Sequence, residues 1–346
     1  MKVYRDELLN AIKTVQPATS NIEDMSNLYF SGEDIVAYND KICFHAPFKS
    51  DFVFLINGSL MFNFVSRVDS EQITMALKDG KLIMKAKGMK ATLTTVLTSE
   101  IIDRTKRVKE ELENLRTYEL PKDFVEGAFL CMFSASKEPA TGTLTCLNVE
   151  GNELITGDKR RVSLYTLKEK MESFMIEASI ASELKRLEEI TLSVYGISDS
   201  WIHFITDTGT TLSVRRILGE FPDYHEIIKS VKGIKIKLPE GIRETIETAS
   251  LTVEGSGSAD IHRVLIELSK NSLKCLGTSE TKGTIEKTSK VSYDGKDVSF
   301  SISPTFLLEV LNKAATVIID SENHKALFRS GSFKHVMTLP ITQKGV

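Results

Sequence analysis

No stretch of this 346-residue chain stays apolar for the ~18 residues that a membrane-spanning helix needs, so no membrane partner is expected. The first residues, Met1-Lys2-Val3-Tyr4-Arg5-Asp6-Glu7, bring acids into the first turn where a secretory leader would carry an apolar block. A cytoplasmic protein is therefore expected. Cysteine is scarce: Cys43, Cys131, Cys146 and Cys275 lie far apart, and the absence of any Cys-x-x-Cys excludes a zinc ribbon or a redox pair. Cys43 and His45 fall on one face of a probable strand, but no second ligand pair accompanies them. Buried small side chains account for the cysteines better than a metal does. Neither sign of charge dominates, with 44 Lys and Arg against 47 Asp and Glu for a formal net charge of -3. That excludes gripping nucleic acid with the whole surface and leaves room for a local basic lining.

Catalytic signatures are also missing. Asp207-Thr208-Gly209 is the triplet of aspartic-protease active sites, but those enzymes need two such loops sharing a proton, and the chain has only this one. Residues 206–211 read instead as a hairpin turn between two strands. Gly255-Ser256-Gly257-Ser258 is followed by a strand pattern over 262–268, whereas a phosphate cradle needs a helix N-terminus there. The six histidines are scattered, and no Asp-x-Asp cluster or Ser/His/Asp spacing stands out. No catalytic residue, metal site or cofactor is assigned, and the protein is expected not to be an enzyme.

What the chain does have is soluble globular composition, 41% hydrophobic and 26% charged, at a length that calls for two or three domains. Leu8, Leu9, Ile12 and Val15 share one face of a helix over 4–15. Strand patterns follow over 26–30 and 34–38. Asn57-Gly58-Ser59 then caps a short helix ending near Arg67, and strands follow over 81–87 and 90–96. The charged segment 100–117 reads as a connector.

The same order of elements then restarts. Leu120-Pro121 opens a helix through Met132, and Leu238-Pro239 opens another through Ala249, each with Pro where a first helical turn tolerates it. Ser59-Leu60, Ser179-Ile180 and Ser303-Pro304 each begin a short amphipathic helix followed by strand, turn and strand. Equivalent points recur about every 120 residues. The fold class read from this is α+β, with three repeats of a unit in which two helices pack on an antiparallel sheet, over 1–118, 119–236 and 237–346.

Positive charge falls on these six helices or just beyond them, at Lys13, Arg67, Lys137, Lys185, Arg186, Arg243 and Lys313. Helix-dipole complementarity alone would place cations toward helix C-termini. The functional alternative is a shared surface facing a polyanion, weakly attractive because Glu7, Glu183, Glu244 and Glu247 interleave with the cations. Loose phosphate contacts carry no base information and suit a protein that stays on a duplex while moving along it. Aromatics that would stack on single-stranded bases are missing from these faces.

One stretch organises the middle of the chain: Leu218-Gly219-Glu220-Phe221-Pro222-Asp223-Tyr224-His225-Glu226-Ile227-Ile228. Pro222 stiffens a loop that holds apolar groups near the surface, so little entropy is lost when something binds it. The three-fold repeat together with Leu218, Gly219, Phe221, Pro222, Asp223 and Tyr224 resembles the bacterial-type β sliding clamps, the ring-shaped processivity factors of replicative DNA polymerases. Two further segments resemble that family, Val336-Met337-Thr338-Leu339-Pro340-Ile341 and the run from Thr156 through Gly157, Asp158, Arg160 and Arg161 to Leu164. In the second, Gly and Asp are exchanged and one residue is added.

The resemblance implies a DNA-clamp fold that closes as a head-to-tail homodimeric ring around double-stranded DNA, with a replicative polymerase and a clamp loader as partners. It implies a partner-peptide pocket formed by Thr156, Arg161, Val162, Pro222, Ile227, Met337, Leu339, Pro340 and Ile341, flanked by Ile261 and Phe306. The dimer contact would use Lys90, Thr92 and Thr94 on one side and the region of Leu251 on the other. The protein would work on DNA in the cytoplasm of a bacterial or phage-infected cell. Departures are visible: Glu226 stands where some members of the family have a basic residue, Thr342 stands where Arg is common, and residues 343–346 extend the chain. Two other readings remain open, a DNA-processing hydrolase built from dispersed acids and a monomeric protein-interaction scaffold on the same repeat.

Overall fold

The computed structural model describes residues 1–22, 24–96, 99–113, 115–189, 191–253 and 263–340. Eight α-helices are found among them: α1 (Arg5–Val15), α2 (Gly58–Ser66), α3 (Glu100–Glu113), α4 (Phe124–Cys131), α5 (Ala181–Glu188), α6 (His225–Lys229), α7 (Ile242–Ser250) and α8 (Pro304–Leu311). The chain divides into two compact units, one of Met1–Val125 with Ser179–Leu218, the other of Glu126–Ala178 with Gly219–Val346.

The first unit is built on an eight-stranded antiparallel sheet in the order Phe54–Asn57, Asn27–Phe30, Asp34–Tyr38, Ile42–Pro47, Thr211–Arg215, Trp201–Thr206, Leu192–Ile197, Thr117–Glu119. Its two halves join where Phe44 pairs with Leu212 and Cys43 with Ser213. Lys2–Tyr4, Gln72–Lys78, Lys81–Ala86 and Met89–Thr94 form a smaller sheet. Gln72–Lys78 alternates exposed and buried residues over its first five positions, as a sheet with one wet face should. Ile42–Pro47 is buried at five successive residues instead. Both faces are covered there.

Helix α1 covers one face. Leu8, Leu9, Ile12 and Val15 are buried, as the periodicity predicts, and Lys13 stays exposed. Helix α2 is capped by Asn57, whose side chain accepts from Leu60 N at 2.9 Å and so satisfies one orphan donor of the first turn. Near α1, the Arg186 guanidinium from α5 lies 5.3 Å over the Phe44 ring and donates to Thr14 O at 2.9 Å. Cys43 precedes Phe44 and so points to the opposite face.

That opposite face is covered by α3, which corrects the expectation of a connector over 100–117. The segment is mostly charged, and its apolar stripe is narrow: Ile101, Thr105 and Val108 are buried and Ile102 packs beside them. Ile101 and Val108 join Met25, Tyr29, Val36, Tyr38, Cys43, Leu55 and Trp201 in one apolar cluster. Polar bonds fix the rest. The Glu111 carboxylate accepts from Ser198 Oγ at 2.5 Å, Ser198 Oγ contacts His203 Nε2 at 3.1 Å, and His203 Nδ1 contacts Ser213 Oγ at 2.8 Å. Burial pulls His203 down to about 4, against the pull of Glu111, so it is neutral at physiological pH. Lys109 Nζ bonds Asp34 at 3.0 Å and Glu33 at 3.4 Å.

The Asp207-Thr208-Gly209 triplet is the expected hairpin turn between Trp201–Thr206 and Thr211–Arg215, with Gly209 at φ 85°. Cys43 Sγ lies 3.4 Å from His45 Nε2 within the core, and burial lowers His45 to about 4. Among the described residues, no three His, Cys, Asp or Glu side chains are grouped to hold a metal ion, and no helix is long and apolar enough to cross a membrane. The Gly255-Ser256-Gly257-Ser258 segment lies outside the described residues.

The second unit repeats the plan. Its six-stranded sheet runs Cys146–Gly157, Arg161–Glu177, Phe333–Thr338, Lys325–Ser330, Thr316–Asp320, Ile234–Lys237, all antiparallel. Gly283–Lys290, Ser272–Ser279, Val264–Ser269 and Val298–Ile302 form the smaller sheet. Helix α8 starts with Pro304 in its first turn, as the sequence predicts. Helix α7 approaches the smaller sheet so closely that a Cβ on Gly277 would sit 1.9 Å from Ala249 O. Only glycine lets the two backbones meet there. Gly277→Ala should cost ~1–3 kcal/mol, the range for overpacking a filled site. The melting temperature should fall by several degrees, and an unchanged melt would contradict this packing.

Candidate functional site

Within the second unit, three segments distant in sequence meet. The hairpin of Cys146–Gly157 and Arg161–Glu177 pairs on its far side with Phe333–Thr338, so that Arg161 faces Met337 and Val162 faces Val336. Ile155, Val162, Leu164, Leu327 and Val336 form an apolar floor, completed by Ile228 from α6 and Val231, with Phe221 and Tyr224 packed against it. The Phe221 and Tyr224 rings meet edge to face, 5.9 Å between centroids at 63°.

Local chemistry sets these positions. Asp158 closes the hairpin turn, its Oδ1 accepting from Arg160 N at 2.8 Å and Arg161 N at 2.9 Å, as Asp commonly does in turns. A Cβ on Gly157 would lie 3.0 Å from Arg161 O and 3.4 Å from the Tyr224 ring, so this glycine lets Tyr224 lie down on the hairpin. Gly219 takes φ 140° where the loop turns, and Thr143 Oγ1 donates to Glu220 O at 3.0 Å.

Arg161 is the hub. Its Nε donates to Asp158 at 3.0 Å, one terminal nitrogen to Phe133 O at 2.9 Å and the other to the Glu309 carboxylate of α8. The guanidinium lies 4.1 Å from the Phe306 ring centroid and 5.5 Å from that of Phe133. A planar fork with a stacking face fits this arrangement and an ammonium would not. Thr156 is fully buried, donating to Cys131 O at 2.6 Å and contacting Ser134 Oγ at 2.7 Å.

Of the eleven positions expected to form the pocket, Thr156, Arg161, Val162, Met337 and Leu339 are therefore buried. Phe306 and Pro340 are half-buried, and Pro222 and Ile227 are exposed. Ile261 and Ile341 lie outside the described residues. His335 was not singled out from the sequence, and only its register opposite Ser163 gives it a place here. Its Nδ1 contacts Ser163 Oγ at 2.8 Å among the rings of Phe133, Phe328 and Phe333. Burial, then Arg161 and Lys313, hold it well below the ordinary histidine pKa, so it packs as a neutral ring.

The cations expected to face DNA divide by what they touch. Lys13, Arg67 and Lys137 are exposed. Lys185 is exposed beside Glu188 at 2.5 Å. Arg186 is tied to Glu183 and Thr14 O. Arg243 bonds Glu247 at 3.3 Å but also Leu308 O and Asn312 Oδ1 at 2.8 Å, fastening α7 to α8. Lys313 is half-buried against the rings of Phe129 and Phe133, its ammonium pulled below the ordinary lysine range by burial. Of the residues expected at a dimer contact, Lys90, Thr92 and Thr94 project from Met89–Thr94, the outer strand of its sheet, and Leu251 is 58% exposed at the end of α7.

The fold described above is shared from end to end with solved DNA sliding clamps. Within that class the chain is similar to the β subunits of bacterial DNA polymerase III. The β subunit of Streptococcus pyogenes superposes with a TM-score of 0.81 at 18% identity, covering 99% of both chains. The sliding clamp of Bartonella birtlesii, solved with griselimycin bound, gives 0.83 at 13% identity over 99% of both. In sequence, the β sliding clamp of Haemophilus influenzae is 23% identical over 257 residues, 70% of this chain and 67% of that protein. No family model matches the chain.

His225 gives the wall a dependence on pH. It sits between two carboxylates, Nε2 2.6 Å from Glu153 and Nδ1 2.5 Å from Asp223, and Glu153 first, then Asp223, raise its pKa. A raised folded-state pKa means the stabilisation is complete below the unfolded value near ~6.5 and is lost as pH climbs through the folded value. Amide exchange over residues 221–228, corrected for intrinsic rates, should therefore quicken above neutral pH in the native chain and lose that dependence in His225→Gln. The same pH dependence in both proteins would contradict the clamp by Glu153 and Asp223.

Proposed function

We propose that this protein is a sliding clamp of the bacterial type, which encircles duplex DNA without sequence preference and tethers a replicative DNA polymerase for processive synthesis. The observation that carries the reading is the joining of the 155–164 hairpin, the 221–228 loop and the 336–339 strand end into one apolar wall, on a fold shared end to end with β sliding clamps. The chain acts as three repeats, 1–118, 119–236 and 237–346, and closes as a homodimer through Met89–Thr94 of one copy and the region of Leu251 of the other. A head-to-tail contact that closes after two copies places six repeats around the hole. Its work is binding; it has no reaction of its own.

In this reading Pro222, Ile227, Phe306 and Pro340 are the accessible rim of the partner-peptide site. Thr156, Arg161, Val162, Met337 and Leu339, with Ile261 and Ile341, are its floor and flank. A clamp loader and the polymerase use the same site. Lys13, Arg67, Lys137 and Lys185 make the looser phosphate contacts, while Arg186, Arg243 and Lys313 also hold helices in place. Low affinity per contact is what sliding needs, because retention comes from closure.

The test separates binding from assembly. Ile227→Asp places a charge on an exposed rim residue and should leave the solution mass at twice the 38.6 kDa of one chain. Stimulation of the replicative polymerase in primer extension should fall by an order of magnitude or more, the scale of burying an unpaired charge in an apolar contact. Full stimulation by Ile227→Asp would reject the site, and a monomeric native mass would reject the ring.

A further inference from the structure

Helix α3 and the strands beneath it enclose a groove of about 380 Å³ on the Cys43 side of the eight-stranded sheet. Arg104 and Arg107 enter it from the helix and Arg215 from the sheet, with Asp40, Glu111 and Ser200 between them. The three arginines differ in what holds them. Arg104 is shared between Asp40 and Glu100, each at 3.3 Å, and its pKa is raised first by the Tyr38 side chain and then by those two carboxylates. The Arg215 guanidinium is stacked 3.8 Å from the Trp201 ring centroid, with Asp40 O at 3.4 Å from its Nε. Arg107 is exposed, and among the described residues no carboxylate pairs with it or with Arg215.

We propose that this groove binds an acidic peptide segment of a partner protein. Two guanidiniums without a carboxylate, one of them held flat by an aromatic ring, present the planar donor forks that take up carboxylates in pairs. The groove also carries acceptors of its own, Asp40 and Glu111. A continuous polyphosphate would be repelled by them, whereas a peptide sets N–H donors between its acids and satisfies both kinds of lining. Bases find no stacking surface, since Trp201 is 3% exposed and Tyr38 4%. The groove lies on the sheet face opposite Phe44, α1 and the Arg186 contact, so a ligand here leaves the α1 side free. The proposal stands on the first unit alone and holds whether or not the chain closes into a ring.

Trp201 is the only tryptophan in the chain, so its emission reports on Arg215 directly. A blocked peptide alternating Asp with Gly, titrated into the full-length protein, should change that emission saturably, and added salt should weaken the binding. Arg107→Glu, a substitution at an exposed position, should melt with the native protein and bind the peptide at least about tenfold more weakly. Three results would overturn the proposal: no saturable change, equal affinity in Arg107→Glu, or tighter binding of a single-stranded oligonucleotide of the same net charge. The last would make the groove a nucleic-acid site.

Discussion

Long-range antiparallel pairing is the constraint on which the rest of this structure depends. Ile42–Pro47 lies against Thr211–Arg215, and Arg161–Glu177 against Phe333–Thr338, in each case bringing together segments more than a hundred residues apart. Such pairing costs chain entropy before it returns any burial, so it persists only where the strands bury a great deal. Phe44 and Leu212 in one sheet, and Val162 and Val336 in the other, are almost wholly buried at these joins. The candidate site is a consequence of the second join. Without Val162 opposite Val336, the 221–228 loop would have no floor.

The helices follow from the sheets. On the first unit's main sheet, α1 covers the face of Phe44, and its partner contact through Arg186 uses a cation that could otherwise face solvent. Arg243 does the same between α7 and α8. Several cations thus serve packing first, and exposed cations such as Lys13, Arg67 and Lys137 remain to meet a polyanion. A sparse, partly neutralised set of charges gives weak, salt-sensitive contact. For the clamp proposed above, which would be held by closure, weak contact is an advantage.

Much of this was legible in the sequence, and the failures have physical causes. Leu8, Leu9, Ile12 and Val15 announce α1, Asn57 announces the cap of α2, and Asp207-Thr208-Gly209 announces its hairpin. That the three segments of the wall meet was legible only through their resemblance to a known family, over Thr156 to Leu164, Leu218 to Tyr224 and Val336 to Ile341, and not through composition. Helix α3 was not, because it buries three residues in fourteen and secures its place with Lys109 and Glu111, whose partners lie far off in sequence. The buried state of Thr156 and the neutral packing of His335 were equally invisible. Each depends on a partner set by register, Ser134 and Cys131 for the one and Ser163 for the other.

As the clamp proposed above, the protein stays on DNA by enclosing it and not by gripping it. The most direct measurement is retention of the protein on a circular duplex, after loading, before and after a single cut by a restriction enzyme. Enclosure predicts slow loss from the closed circle even in salt that abolishes ordinary phosphate contacts, and rapid loss once an end is available. Equal loss from circular and cut DNA would contradict it.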